Sequence, residues 1–228
     1  MLGIIGAMDI EIAAIKNSVE NKTVTAVAQI EFVCGTIDGV PVCVAQCSPG
    51  KVNSALCTQI MIDRFDVTEI INVGVGCSLS GDIKVKDVVV ATEVCQYDFD
   101  TSPVDGVRGL ILNGTVKIPT DKTVTDGLIG AAKECVGTVH TGCIASGDTF
   151  IATQSLKDDI VNEFGAVSGE MEGGSIGHVC YVNKVPFGVL RSISDGGDEA
   201  AFMDYPTFKE VAAKISSGII LTYIKNKK

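Results

Sequence analysis

Apolar residues along the chain fall into two alternating rhythms. Short runs rich in Val and Ile, bounded by Gly, Pro or Asp, predict strands over Leu2–Gly6, Thr25–Cys34, Val40–Cys47, Glu69–Val75, Asp87–Cys95, Thr138–Ser146 and Pro186–Ser194. Between them the spacing turns helical, over Asp9–Val19, Lys51–Phe65, Thr123–Cys135, Thr153–Phe164, Gly173–Tyr181 and Pro206–Lys225. The last helix shows apolar residues at Val211, Ile215, Ile219 and Tyr223. Strands that alternate with helices predict an α/β fold whose sheet is covered on both sides. Ile37-Asp38-Gly39-Val40 is a hairpin signal, so the sheet should be mixed. Asp98–Thr120 is the longest candidate loop, and long loops in compact domains are often functional.

With 228 residues and neither linker nor repeat, one domain spanning 1–228 is the expected organisation. The 46% hydrophobic and 20% charged residues describe a globular chain. Its 18 basic and 28 acidic residues leave a net charge of −10, with no basic stripe before the tail Lys225-Asn226-Lys227-Lys228. That balance argues against nucleic-acid binding, which requires cations to neutralise phosphates. The start, Met1-Leu2-Gly3-Ile4-Ile5-Gly6, reads as a first strand and not a signal peptide, and no apolar run reaches membrane-spanning length. A cytoplasmic protein without membrane contact is therefore expected. The nine cysteines include no C-x-x-C pair, which predicts core thiols in a reducing compartment and no metal site.

Chemistry concentrates in Ser168-Gly-Glu-Met-Glu-Gly-Gly174 and Arg191-Ser-Ile-Ser-Asp195. Carboxylates at Glu170, Glu172 and Asp195 sit in or beside apolar runs, where an acid needs a partner. Acids at the carboxyl ends of core strands are also where open α/β sheets place ligand chemistry. Gly6-Ala-Met-Asp-Ile-Glu11 opens a helix but lacks a dinucleotide-binding glycine pattern; alone, Glu11 reads as an exposed first-turn acid. Ser48-Pro-Gly-Lys-Val52 is a glycine turn into a helix without nucleotide-triphosphate spacing. Asn72-Val-Gly-Val-Gly-Cys-Ser-Leu79 closes a strand in a glycine turn that serves equally as a ligand nest or a tight turn. In Ser146-Gly-Asp-Thr-Phe-Ile151, Phe150 and the Ile151 main chain suit a planar base, or else Phe150 is a core aromatic. His178 lies six residues past Glu172, off that acid's helix face, and reads as a packed histidine.

Taken in order, G-A-M-x-x-E, S-P-G-K-V, N-V-G-V-G, S-G-D-T-F-I, G-E-M-E and S-I-S-D resemble the nucleoside phosphorylase/nucleosidase superfamily across the whole chain. Within it they look like the bacterial 5′-methylthioadenosine/S-adenosylhomocysteine nucleosidases. The resemblance implies a three-layer fold, with a central mixed sheet between helices, and cofactor-free hydrolysis of an adenine N-ribosidic bond. It assigns Asp195 as the acid at adenine, oriented by Ser194, and Glu11 as the group that activates water, with Arg191 as its electrostatic partner. Glu172 matches the acceptor of the ribose hydroxyls, with Met171 against the sugar, and Phe150 and Ile151 match the adenine wall. Met8, Pro49 and Tyr205 fall at positions lining the ribose and 5′ pockets, and Val75 and Gly76 in the turn beside them.

The chain departs from the family pattern in three places. Val75 stands where a side-chain hydroxyl is usual, and Pro49 precedes the glycine-lysine turn. The loop 96–103 differs from the familiar His-Asp form. In the family that loop closes the neighbouring subunit's 5′ pocket, which implies a homodimer, with Phe99 and Pro103 as wall residues. Two other readings stand beside the nucleosidase: a phosphate-dependent phosphorylase of the same superfamily, and a nucleoside-binding module without catalysis.

Overall fold

The computed structural model describes residues 1–111 and 114–227, so residues 112 and 113 of the long loop and 228 of the basic tail lie outside the described residues. In chain order the elements are β1 (Leu2–Gly6), α1 (Asp9–Ser18), β2 (Glu20–Val27), β3 (Ile30–Ile37), β4 (Val40–Gln46), α2 (Lys51–Phe65), β5 (Glu69–Ser78) and β6 (Val88–Gln96). There follow α3 (Ser102–Asp105), β7 (Lys117–Pro119), α4 (Lys122–Cys135), β8 (Val139–Ser146), α5 (Gln154–Phe164), β9 (Ala166–Glu170), α6 (Gly173–Asn183), β10 (Phe187–Asp195) and α7 (Ala201–Asn226).

All strands join one mixed sheet, ordered β10-β6-β8-β9-β5-β1-β4-β3-β2, with β7 on β6. A further pairing of β10 with β5 closes part of it into a ring of β5, β9, β8, β6 and β10. One face packs on α2 and α6 through Cys57, Met61, Ile176 and Cys180. The other packs on α1, α4 and α7 through Ile12, Ile15, Leu128, Ile219 and Ile220. The expected mixed sheet between helices is present; the ring is a feature that strand periodicity does not reveal.

Five local readings need correction. Thr25–Cys34 is not one strand: Ala28 and Gln29 turn at φ 50° and 62°, so β2 and β3 form a hairpin. No Gly, Asn or Asp marks this turn, which hides it in an unbroken apolar pattern. The strand β9 is absent from the sequence expectation, because Ala-Val-Ser-Gly-Glu is short and largely small or polar. The expected long loop contains α3 and β7. Helix α7 begins at Ala201, five residues before Pro206, which the helix carries near its start. The buried stripe of α7 also differs, running through Ala212, Ala213, Ser216, Ser217, Ile219, Ile220, Tyr223 and Ile224 while Val211 is 45% exposed. Small residues allow close approach to the sheet, and a hydrophobicity pattern under-reads them.

The β2–β3 turn places two side-chain-bearing residues at positive φ, where L-residues are disfavoured. Gln29→Gly should stabilise the protein by about 0.5–1 kcal/mol, raising the thermal midpoint by roughly 1–4 °C. A midpoint unchanged or lowered in a thermal melt would show that this turn is not strained.

Candidate active site

The carboxyl ends of β1, β4, β5, β8, β9 and β10 converge on one cavity, as expected where ligands bind open α/β sheets. The cavity encloses about 560 Å³ including its mouth. Met8, Glu11, Pro49, Val75, Gly76, Phe150, Ile151, Met171, Glu172, Ser194, Asp195 and Tyr205 all line it. Arg191, the remaining residue singled out in the sequence, stands behind the wall and is 1% exposed.

Glu11 is 3% exposed, so it is not the solvated first-turn acid its helix position suggests. Its Oε2 accepts from the Ala7 and Met8 amides at 2.8 Å each, and its Oε1 from the Val75 amide at 2.9 Å. A Cβ on Gly74 would lie 2.5 Å from Glu11 Oε1, so the N-V-G-V-G turn requires glycine there for the carboxylate to approach the strand. Burial raises the Glu11 pKa, opposed by the Arg191 charge and by the three amides.

Arg191 reaches from β10 between two acids of the G-E-M-E segment. Its Nη2 contacts Glu170 Oε2 directly and lies 3.5 Å from Glu172 Oε2, and donates to Asn72 Oδ1 at 2.5 Å. Its ion-pair partners are thus Glu170 and Glu172, while Glu11 feels its charge without a direct bridge. Glu170 also accepts from Ser146 Oγ and from the amides of Glu172 and Gly173 at 3.0 and 2.8 Å. The sequence marks Glu170 as a carboxylate in an apolar run but assigns it no task. The available signal is its spacing two residues before Glu172, at the strand-to-helix junction.

Glu172 is the N-terminal neighbour of α6 and accepts from the Gly50 amide at 3.0 Å. Burial first, then the Glu170 charge, push its pKa up to about 8, against the pull of Arg191 and Gly50. Asp195 ends β10 beyond an irregularity in the β5 register at Ile193/Asp195. Its Oδ2 accepts from Ser194 Oγ at 2.8 Å and its Oδ1 from the Gly197 amide at 3.0 Å. Burial raises its pKa, opposed by those two bonds and reinforced by Asp204 and Asp198.

Phe150 is 40% exposed at the mouth, with the Tyr205 ring edge-on at 5.4 Å. Ile151 is buried, and its amide and carbonyl make no hydrogen bond among the described residues. The turns around it are tied to the opposite wall by Lys51 of the S-P-G-K-V motif, Asp148 of the S-G-D-T-F-I motif and two residues of the 96–103 loop. Lys51 Nζ bonds Asp98 Oδ1 at 2.5 Å, Asp98 Oδ2 accepts from the Asp148 amide at 2.7 Å, and Asp148 Oδ1 accepts from the Lys51 amide at 2.8 Å. Tyr97 Oη donates to the Thr149 carbonyl at 2.8 Å. The beginning of the 96–103 loop thus braces its own subunit's cavity. His178 lies near Gln96 Nε2 at 3.3 Å, away from the cavity lining.

Seven of the nine cysteines are buried and all are free, and Cys77 is the one lining the cavity. Among the described residues no group of His, Cys, Asp and Glu has the arrangement of a metal site, and no helix is long and apolar enough to cross a membrane.

A family model described as the phosphorylase superfamily matches residues 1–225. A 5′-methylthioadenosine/S-adenosylhomocysteine nucleosidase of Halalkalibacterium halodurans is 34% identical over 228 residues, covering 98% of this chain and 97% of the relative. An aminodeoxyfutalosine nucleosidase of Helicobacter pylori is 36% identical over 229 residues, covering 98% and 97%. The crystal structure of a 5′-methylthioadenosine/S-adenosylhomocysteine nucleosidase from Neisseria meningitidis, in complex with methylthio-immucillin-A, superposes with a TM-score of 0.95 at 28% identity, covering 99% of this chain and 98% of that one. Full-length similarity, shared topology and a cavity with Glu11, Glu172 and Asp195 on its walls agree: the chain belongs to the phosphorylase superfamily and, within it, to the nucleosidases, which are N-glycosyl hydrolases.

Proposed function

We propose that this enzyme hydrolyses the N-ribosidic bond of 5′-methylthioadenosine and S-adenosylhomocysteine, releasing adenine and the 5-thio-substituted ribose. The observation that carries this reading is the set of four buried carboxylates around one cavity, with Glu170 bound to Arg191 and Glu11, Glu172 and Asp195 each holding a different set of partners. Cleavage passes through a ribosyl cation and needs an acid for the base and a base for the water. Asp195, whose pKa is raised by burial and whose Oδ2 is oriented by Ser194, gives a proton to the imidazole nitrogen of adenine. Adenine then departs neutral. Glu11 accepts a proton from the water whose oxygen bonds to the anomeric carbon. Three amides fix that carboxylate and favour its charged form, and Arg191 adds a positive field. Proton exchange with solvent resets both acids.

Glu172 receives the ribose hydroxyls, with Met171 against the sugar. Two hydroxyl donors stabilise its anion and lower its pKa in the complex. Phe150 stacks on adenine, and the unpaired Ile151 main chain meets its edge. Met8, Pro49, Val75 and Tyr205 enclose the sugar and its 5′ side, and the reaction requires no cofactor. Phosphorolysis is disfavoured by charge. A phosphate nucleophile needs free cations, whereas Arg191 is already engaged by Glu170 and Glu172, and Glu11 repels an anion. Exposed Val52, Leu56, Phe99, Val104 and Val107 support a homodimer, with the 96–103 loop and Pro103 beside the partner's cavity, in a cytoplasmic setting.

Adenine release from 5′-methylthioadenosine in phosphate-free buffer is the expected result, and release only on adding phosphate would refute hydrolysis. In the same assay Asp195→Asn should lower kcat by about 10²–10⁴-fold, the usual range for losing a general acid, and near-normal turnover would remove Asp195 from that role. Light scattering should report a dimer, and a monomeric mass would refute the shared-cavity arrangement. Folded Glu172 keeps its proton from about pH 4.5 to about 8, a window in which the unfolded chain releases it. Wild-type stability should therefore fall relative to Glu172→Gln as pH rises through that window, by up to about 1.4 kcal/mol per pH unit. Parallel melting profiles for the two proteins would contradict the raised pKa.

A further inference from the structure

Building on the nucleosidase reading, we propose that the Tyr205 hydroxyl selects at the 5′ position by donating a hydrogen bond to the 5′ heteroatom of the substrate, which extends the substrate class to nucleosides carrying oxygen there. Adenine at Asp195, Phe150 and Ile151, with the ribose hydroxyls at Glu172, leaves the wall made by Met8, Pro49 and Tyr205 for the 5′ side. That wall is carbon and sulfur except for one group. Tyr205 Oη points to Met8 Sδ at 3.2 Å, its only hydrogen-bond partner among the described residues.

A thioether is a weak acceptor, so the hydroxyl loses little when it turns from Met8 to a ligand. The ring itself is held. Phe150 meets it edge-on at 5.4 Å, Lys209 Nζ lies 5.5 Å from its centroid, and Val75, Ala212 and Ala213 form the apolar cluster beneath it. Burial and the charges of Glu11, Asp195 and Glu172 raise the phenol pKa, so Tyr205 stays protonated and acts as a donor. A hydroxyl that already bonds a sulfur on the cavity wall can meet a 5′ thioether, and oxygen is the better acceptor. Without the hydroxyl, a 5′ oxygen would be enclosed by carbon and sulfur with no donor, whereas a 5′ sulfur would lose only a weak bond.

The test uses a matched pair, 5′-methylthioadenosine and 5′-deoxy-5′-methoxyadenosine, which differ in one atom. For each, kcat/KM is measured by adenine release with wild type and with Tyr205→Phe, which keeps the ring. The ratio of methoxy to methylthio kcat/KM should fall about five- to tenfold in the variant, the effect of one unmade neutral hydrogen bond. Because both substrates are measured on the same preparation, any loss of folded enzyme cancels in the ratio. A ratio that stays within twofold of wild type, or rises, overturns the inference and leaves hydrolysis intact. Failure of the wild type to release adenine from 5′-methylthioadenosine refutes the parent reading, and this one with it.

Discussion

The guanidinium of Arg191 is the interaction on which the rest of the site depends. Removing such a cation from water carries a penalty of several kcal/mol unless acids and dipoles replace its hydration. Here Glu170 and Glu172 of the G-E-M-E segment and Asn72 of β5 do so. Glu170 in turn receives the amides at the start of α6 and the hydroxyl of Ser146 at the end of β8. One buried network therefore joins β5, β8, β9, β10 and α6. Deleting Arg191 would leave Glu170 and Glu172 buried side by side without a cation, which is far costlier than losing an exposed pair.

The ring of strands explains how such a network is possible. Pairing of β10 with β5 places Arg191 opposite Gly74, the residue whose missing side chain admits Glu11. The short antiparallel pairing of β9 with β5, at Cys77 and Ser78, brings the G-E-M-E segment to the same end of the sheet. Strands far apart in sequence thus deliver acids to one rim, while their apolar residues fill two separate faces. The acids stand at the strand ends and in the turns after them, while Arg191 and Asn72 reach them from within β10 and β5.

Much of this is legible in the sequence because function constrains residue type. An acid in an apolar run is costly, so Glu170, Glu172 and Asp195 stand out by residue type alone, and the cavity lies among them. Periodicity locates most strands and helices for the same reason, since a buried face must repeat with its element. The elements that escape it share a cause: geometry carried by small or ordinary residues. Ala28-Gln29 makes a turn without a turn residue, β9 is a strand without a strand composition, and α7 packs on alanines and serines. The brace of Lys51, Asp98 and Asp148 joins residues up to 97 positions apart, so the motifs that hold Lys51 and Asp148 do not reveal that the two meet.

The distribution of hydrogen-bond donors separates the environments of three acids that look alike in sequence. Glu11 takes three amides, and each favours a charge, which suits a group that must be ionised to accept a proton from water. Glu172 takes one amide and shares Arg191 with Glu170, so its remaining valence is open to ligand hydroxyls. Asp195 has no cation within bridging distance among the described residues, only Ser194 and one amide, and two further acids raise its pKa. A pKa raised in this way favours the protonated form, the form in which a carboxylic acid has a proton to give. The same logic disfavours phosphate. Every strong positive feature of the cavity is already aimed at a carboxylate of the protein, so an incoming anion would have to displace one, whereas a neutral water and a neutral nucleoside need displace none.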